Sequence, residues 1–397
     1  MDKAPNRGSG ADARGLYIHI PFCARRCRFC DFVTGPEHPG RTEAYLDALL
    51  TEARAERAAL PDAPALSTLF FGGGTPSLVA PELFTRSARH LRASFPLEPG
   101  AEVSLEANPE DLDVEHLDAY RAAGITRLSI GVQSLNDRAL AFLNRGHTAG
   151  VALDAIRRAR RAGFDNISAD LLLGIPEETE ESFLAGVDQI LAEGLDHLSV
   201  YALTLEERSV FGRLATRGAY EQSSDAIFER LYYATLDRAD RAGLEHYEIS
   251  NFAMPGRRSR HNLLYWNRAS VIALGVGAVS NVGGVRLRNG GSIEHYLRFD
   301  GVVARAVDEL GVEERLSEAF LLGLRLRDGI RLAEIAREFG ERAFDAAWPA
   351  IDRFIGEGLL EYDRDRVRLS RRGLILSDRV LRELTFLRGD LARAAIS

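Results

Sequence analysis

The sequence predicts an α/β protein: a partial (β/α)6 TIM-like barrel followed by a smaller, winged-helix-like α+β domain. Two observations carry that expectation. Over the first two hundred residues short aliphatic runs alternate with longer segments of helical period. Beyond residue 311, helical segments precede two short runs set around a charged turn.

In chain order the runs GLYIHIPF, TLFFGGG, AEVSLEA, RLSIGVQ, NISADLLL and DHLSVYAL read as strands. Segments 42–60, 81–95, 114–123, 153–162 and 179–192 place apolar residues three and four apart and read as crossover helices. Gly124 and Gly163 end two of them, where a left-handed cap turns the chain back into a strand. Such repetition implies parallel pairing through right-handed connections, and a sheet that curves into a partly closed barrel. A longer helix is expected over 224–242. From 245 to 289 the periodicity fades among aromatics, Asn, Pro, Gly and Arg, which reads as a structured, functional loop. The last domain is expected to hold three helices, the hairpin LLEYD and VRLS, and a final helix over 371–387. The expected divisions are a disordered tail over 1–14, the barrel over 15–250, a connecting segment over 251–310 and the C-terminal domain over 311–397.

The 397 residues carry 50 basic and 58 acidic side chains, a formal charge of −8, which argues against a sequence-independent grip on nucleic acid. In 311–397 arginine and acidic residues are equally numerous and interleaved, so a packing or partner role is expected there rather than DNA binding. The only lysine is Lys3, which excludes a Schiff-base lysine and a GxxxxGK[ST] phosphate loop. The polar, Gly-rich start lacks an apolar export segment, and runs such as 271–280 fall short of the roughly 20 residues of a membrane span. A soluble cytoplasmic protein is expected.

The three cysteines, Cys23, Cys27 and Cys30, lie within eight residues directly after the first strand. A disulfide framework needs an even number spread along the chain, so this spacing points to a reducing compartment and a three-thiolate metal site. Three thiolates from one loop hold three irons of a four-iron cluster and leave the fourth open to a small chelating molecule. Arg25, Arg26 and Arg28 are expected to lower the thiol pKa values. The alternative is structural zinc with His19, His38 or Asp31 as fourth ligand, although zinc commonly draws on two spaced ligand pairs.

Gly72, Gly73 and Gly74, before Thr75 and Pro76, end the second strand, where glycines let a backbone pass close to a ligand or simply make a tight turn. Later strand ends carry Glu106, Gln133 and Asp170, with Arg145 from an intervening loop. A buried polar group costs several kcal/mol unless satisfied, so these are candidates for ligand contact, with local capping as the alternative.

CxxxCxxC and GGGTP, each at the end of its own strand, resemble the radical S-adenosylmethionine (SAM) enzymes. The resemblance implies a radical SAM barrel whose 4Fe-4S cluster, held by Cys23, Cys27 and Cys30, reductively cleaves SAM to methionine and a 5′-deoxyadenosyl radical. It implies Gly73, Gly74 and Thr75 beside the SAM methionine, Gln133 and Asp170 on the ribose, and Arg145 on the carboxylate. Glu106 would sit near the amine or ribose, with Tyr17 and Phe29 by the cluster and adenine. From residue 16 to about 385 the chain is most similar to bacterial radical SAM haem chaperones of the HemW type, relatives of the oxygen-independent coproporphyrinogen III oxidases. The oxidases resemble CxxxCxxCxC and carry a longer N-terminal segment, whereas Asp31 and Phe32 follow Cys30 here and 14 residues precede the barrel.

His261 to Trp266, HNLLYW, matches the HNxxYW motif linked in those chaperones to haem binding. By that resemblance His261 would ligate haem iron, Tyr265 and Trp266 would face the porphyrin, and Arg257, Arg258 and Arg260 would pair with propionates. On the residues alone the segment reads equally as a packed aromatic loop. No CxxCH is present, which excludes thioether attachment. The expected function is a haem chaperone that passes haem to an acceptor such as a respiratory haem protein, with a homodimer compatible. A coproporphyrinogen oxidase, another radical SAM enzyme acting on a tetrapyrrole, and a non-enzymatic metal-binding module remain open.

Overall fold

The structure is a computed structural model that describes residues 13–38, 40–207, 209–218, 223–298, 300–301 and 305–386. Six strands follow one another in parallel: β1 (Ala13–Ile20), β2 (Leu66–Gly73), β3 (Leu97–Ala107), β4 (Arg127–Gln133), β5 (Ile167–Leu173) and β6 (His197–Ala202). Between them run α1 (Arg41–Ala59), α2 (Pro81–Ser94), α3 (Val114–Ala123), α4 (Ala149–Arg161) and α5 (Glu180–Ala192). Gly124 and Gly163 take positive φ values of 83° and 88°, as a left-handed helix end requires. The expected α/β barrel core is therefore present. Of the expected tail, residues 1–12 lie outside the described residues, while Ala13 and Arg14 already belong to β1.

One face of each strand packs on the helices. Leu16, Ile18, Leu69, Val103, Leu105, Leu128, Ile130, Ala169, Leu198 and Val200 are buried there. Two-residue alternation then sends a second set inward, and in this barrel it is polar: Glu102, Ser104 and Glu106 on β3; Arg127, Ser129 and Gln133 on β4; Ser168 and Asp170 on β5; His197 and Ser199 on β6. An apolar layer outside and a polar lumen inside let the core be a binding chamber.

The stretch 245–289 is not the loop its mixed composition suggested. After α6 (Asp225–Arg241) come β7 (Glu245–Glu248) and β8 (Asn251–Ala253), antiparallel at the β6 edge, and α7 (Arg260–Trp266). β9 (Ser270–Leu274) then pairs parallel with the other side of β1 and continues antiparallel through β10 (Val279–Val282), β11 (Val285–Asn289) and β12 (Arg305–Glu309). Gly283 and Gly284, both at positive φ, make the two-residue turn of the β10–β11 hairpin. The twelve strands form one sheet in the order β12-β11-β10-β9-β1-β2-β3-β4-β5-β6-β8-β7, open between its outer strands.

A buried charge cluster ties this extension to the barrel. Glu52 on α1, 3% exposed, accepts hydrogen bonds from Gly275 N, Asn289 Nδ2, Tyr296 Oη and Arg305 Nη2, and Arg305 also pairs with Glu56. Removing the carboxylate breaks a buried ion pair and leaves Gly275 N and Tyr296 Oη without their acceptor, so Glu52→Ala is expected to lower the stability of the protein by about 3–5 kcal/mol in urea titration. A loss under about 1 kcal/mol, the size of an exposed pair, would contradict this role.

The C-terminal domain comprises α8 (Val312–Gly323), α9 (Leu332–Phe339) and α10 (Glu341–Gly356), with the strands β13 (Ile330–Arg331), β14 (Leu360–Asp363) and β15 (Arg366–Leu369) in the order β13-β15-β14. The expected last helix is broken at Leu376 into Arg371–Ile375 and Ser377–Glu383, and residue 387 lies outside the described residues. No helix among the described residues is long and apolar enough to cross a membrane.

Candidate cofactor and ligand site

The carboxyl ends of β1 to β6 converge on a cavity of about 550 Å³, within the size range of small-molecule sites. Its mouth is the loop after β1. Cys23, Cys27 and Cys30 are all half-buried, all free thiols, and all line the cavity. His19 anchors that loop. Its Nε2 lies 2.9 Å from the Val33 carbonyl oxygen and its Nδ1 3.1 Å from the Tyr17 hydroxyl, so the imidazole is not available as a fourth zinc ligand.

The glycines of β2 are demanded by the same loop. Gly73 has φ 117°, and a Cβ there would sit 2.7 Å from the His19 ring. At Gly74 a Cβ would come within 2.7 Å of the Phe22 carbonyl oxygen and 3.0 Å of Cys23 Sγ. The tract therefore lets β2 pass against the cysteine loop while leaving Gly73, Gly74 and Thr75 on the cavity wall.

Arg145 follows the short helix Asp137–Phe142 and reaches back across the mouth. Its Nη1 donates to Cys27 Sγ at 3.3 Å, and its Nη2 donates to Asn108 Oδ1 at 2.7 Å and the Gly131 carbonyl oxygen at 2.8 Å. Its Nε is buried without a partner, an unused donor beside the thiols that suits an acidic ligand group. His147 secures the turn: both ring nitrogens face acceptors, Glu110 Oε2 at 3.1 Å and the Val132 carbonyl oxygen at 3.0 Å.

Below the mouth Gln133 ends β4 at φ 67°, an unfavourable conformation for a residue with a side chain, and lines the cavity. Asp170 accepts from Ser129 Oγ at 3.1 Å and Ser168 Oγ at 3.4 Å, and burial raises its pKa. Glu106 Oε2 accepts from Gly73 N at 3.0 Å; burial pushes its pKa up to about 7, partly opposed by that bond. A carboxyl protonated more strongly in the folded than in the unfolded chain loses its contribution as pH rises from about 4.5 through 7. Glu106→Gln is expected to remove roughly 2 kcal/mol of the stability lost by the apo protein between pH 5 and 8, an amount reduced for the water the cavity admits. An unchanged pH dependence in denaturant titrations would show that Glu106 is ordinary.

The arginines do not control the thiols as expected. Burial raises the pKa of Cys23 and pushes that of Cys30 up to about 11, outweighing the exposed Arg26. Binding a metal group there must therefore release protons. Among the described residues no three His, Cys, Asp or Glu side chains are gathered as a single-ion site.

Two expected contacts lie elsewhere. Tyr17 does not line the cavity but bonds His19 and stacks on Phe70, while Phe29 does line it. His261 is 1% exposed on α7, with Nδ1 2.7 Å from Thr68 Oγ1 and Nε2 3.2 Å from the Tyr265 hydroxyl. Its ring stacks on Phe70, and burial holds its pKa down to about 3. As placed, the imidazole has neither a free nitrogen nor access to the cavity, in contrast to the haem ligand expected from the sequence. Of the same motif Asn262 lines the cavity, whereas Trp266 faces the C-terminal domain beneath the Arg325 guanidinium. The motif plugs the barrel floor, held by Glu102, which accepts from the backbone N–H groups of Arg260 and His261.

Sequence reasoning missed Arg127, Ser129, Ser199 and Asn262 on the cavity wall. The signal was present: in RLSIGVQ every second residue back from Gln133 is polar or glycine.

Residues 17–190 match the radical SAM superfamily, and residues 310–376 match the HemN C-terminal domain. The chain is 37% identical over 382 residues to a Mycobacterium tuberculosis protein named heme chaperone HemW, covering 93% of this chain and 94% of that one. It is 34% identical over 375 residues to the Bacillus subtilis protein of the same name, covering 92% and 98%. Coproporphyrinogen III oxidase (HemN) from Escherichia coli superimposes with a TM-score of 0.81 at 23% identity, over 94% of this chain and 91% of that one, a likeness of fold. With the cysteine loop, the glycine-lined wall and relatives matched nearly end to end, the chain belongs to the HemW family of the radical SAM superfamily.

Proposed function

We propose that this protein binds a 4Fe-4S cluster and SAM at the barrel mouth and carries haem to an acceptor haem protein. The observation that carries the cofactor part is the placement of three thiols and the Arg145 guanidinium around one opening. When bound, such a cluster supplies an open iron that chelates the SAM amine and carboxylate and an electron for its sulfonium. Arg145 pairs with the carboxylate, the Gly73–Thr75 wall and Glu106 face the amine, and Gln133 and Asp170 hold the ribose. The polar lumen and its apolar jacket orient the ligand and restrict water.

The haem part rests on the relatives, which are named heme chaperones at 34–37% identity along nearly their whole length. The absence of a cysteine two residues after Cys30 sets the loop apart from the CxxxCxxCxC pattern expected of the oxidases. The test is anaerobic reconstitution followed by haem loading and incubation with an apo haem protein. Transfer of haem to the acceptor, with no conversion of coproporphyrinogen in the presence of SAM and reductant, is the expected result. Protoporphyrinogen formation would replace the chaperone reading with the oxidase one.

His261 is expected to behave as a core residue. His261→Ala should lower thermal stability, by about 2–3 kcal/mol for a buried hydrogen-bonded ring, and change haem affinity less than about twofold. A tenfold loss of haem affinity in a variant of unchanged stability would restore the imidazole as iron ligand.

A further inference from the structure

Arg127 opens β4 on its inward face and is 2% exposed, yet its side chain forms no hydrogen bond or ion pair with another described residue, and its Nε is buried without a partner. A guanidinium never loses its charge in a protein, and burying one without hydrogen-bonded partners is costly. Glu106 and Asp170 lie near enough for its charge to favour their ionised forms, but no carboxylate among the described residues hydrogen-bonds the guanidinium. Glu106 accepts from Gly73 N, Asp170 from Ser129 and Ser168, and Glu102 from the α7 backbone. Strand register sets Arg127 level with Ser104, one inward position below Glu106 and Ser129 and three below Gln133. It thus lies beneath the level assigned to SAM. The cavity wall it shares carries Phe70, Ser129, Ser199 and Asn262 as well as Glu106 and Asp170.

We propose that Arg127 is the anchor for a carboxylate carried by a ligand that enters the lower chamber of the barrel, beneath the SAM level. A planar fork of donors is the protein's strongest device for a carboxylate, and Asn262 lines the same cavity. Glu106, half protonated near neutral pH, would not repel such a group as a fixed anion does. The carboxylate that fits is a tetrapyrrole propionate, because Arg145 at the mouth is the partner of the SAM carboxylate. The proposal thus rests on the haem reading above.

The test compares the cluster-loaded protein with its Arg127→Leu and Arg127→Gln variants, titrated separately with protohaem, protohaem dimethyl ester and SAM. The expected result is haem bound at least about tenfold more tightly than its diester by the unaltered protein. In both variants haem affinity should fall to the diester level, with diester affinity, SAM affinity and iron content unchanged. A fall in SAM affinity alone would overturn the proposal and place Arg127 in the SAM site. If haem fails to bind the unaltered protein, the haem reading fails and the proposal with it, whereas haem bound equally by the unaltered protein and both variants overturns the proposal alone. The proposal is overturned if neither affinity moves in variants that keep their cluster. It is equally overturned if both variants fail to fold, since Arg127 would then be a structural counter-ion.

Discussion

Replacing Cys27 by Ser is expected to lower iron and acid-labile sulfide by at least about tenfold after anaerobic reconstitution, and to abolish SAM cleavage. The three thiols come from one loop and share one cavity, so the loss of any of them leaves too few ligands to retain a cubane at the mouth. Cys23→Ser and Cys30→Ser should behave alike, whereas Asp31→Asn, beside the third thiol, should load normally. The fold should survive, because the barrel core lies beneath the loop and is built from the strands and helices themselves. Cluster retained in full by any of the three serine variants would show that another side chain takes the vacant place. Metal loading should also weaken as pH falls, because burial holds Cys23 and Cys30 in the thiol form and binding must displace their protons.

Arg145→Ala is expected to raise the dissociation constant for SAM by roughly 10–100-fold, the equivalent of a lost charge-assisted pair. Iron content should stay near that of the unaltered protein, because Arg145 touches Cys27 through a hydrogen bond and is not a ligand. The geometry sharpens the expectation. Two of the three guanidinium nitrogens are committed to Cys27, Asn108 and Gly131, which aims the fork, and the third is buried and unused. Arg145→Lys should recover little, since an ammonium cannot hold those acceptors and a carboxylate at once. Unchanged SAM affinity in a cluster-loaded Arg145→Ala protein would remove Arg145 from the binding machinery.

Much of this architecture was legible because local pattern and tertiary structure agree. The six barrel strands are apolar on the jacket side, and capping glycines such as Gly124 mark the turns between helix and strand. The extension from 245 to 289 was not legible as sheet because its strands are short and interrupted by glycines that serve turns. VSNV and VRLRN are nevertheless separated by a Gly-Gly pair that is itself a hairpin signal. The site was legible at its rim, where Cys23, Cys27, Cys30 and Gly73–Thr75 stand out by residue type. It was less legible at its floor, where Arg127 in RLSIGVQ looks like an ordinary strand-start charge until the barrel closes around it. His261 shows the converse. A motif assigned by resemblance to iron ligation is here a helix whose His and Tyr close the lumen through Thr68 and each other. A short motif carries no information about which way its imidazole turns, since that depends on strands nearly two hundred residues away.

Three thiolates at this mouth would leave one iron of a cubane open to SAM. The most direct test of that open iron is a single anaerobic sample, assayed for iron and sulfide and then examined by electron paramagnetic resonance in the reduced state before and after SAM is added. About four irons and four sulfides per chain are expected, with a cluster spectrum that shifts on adding SAM. A chain that holds zinc alone, or a cubane whose spectrum SAM leaves untouched, would contradict the open iron.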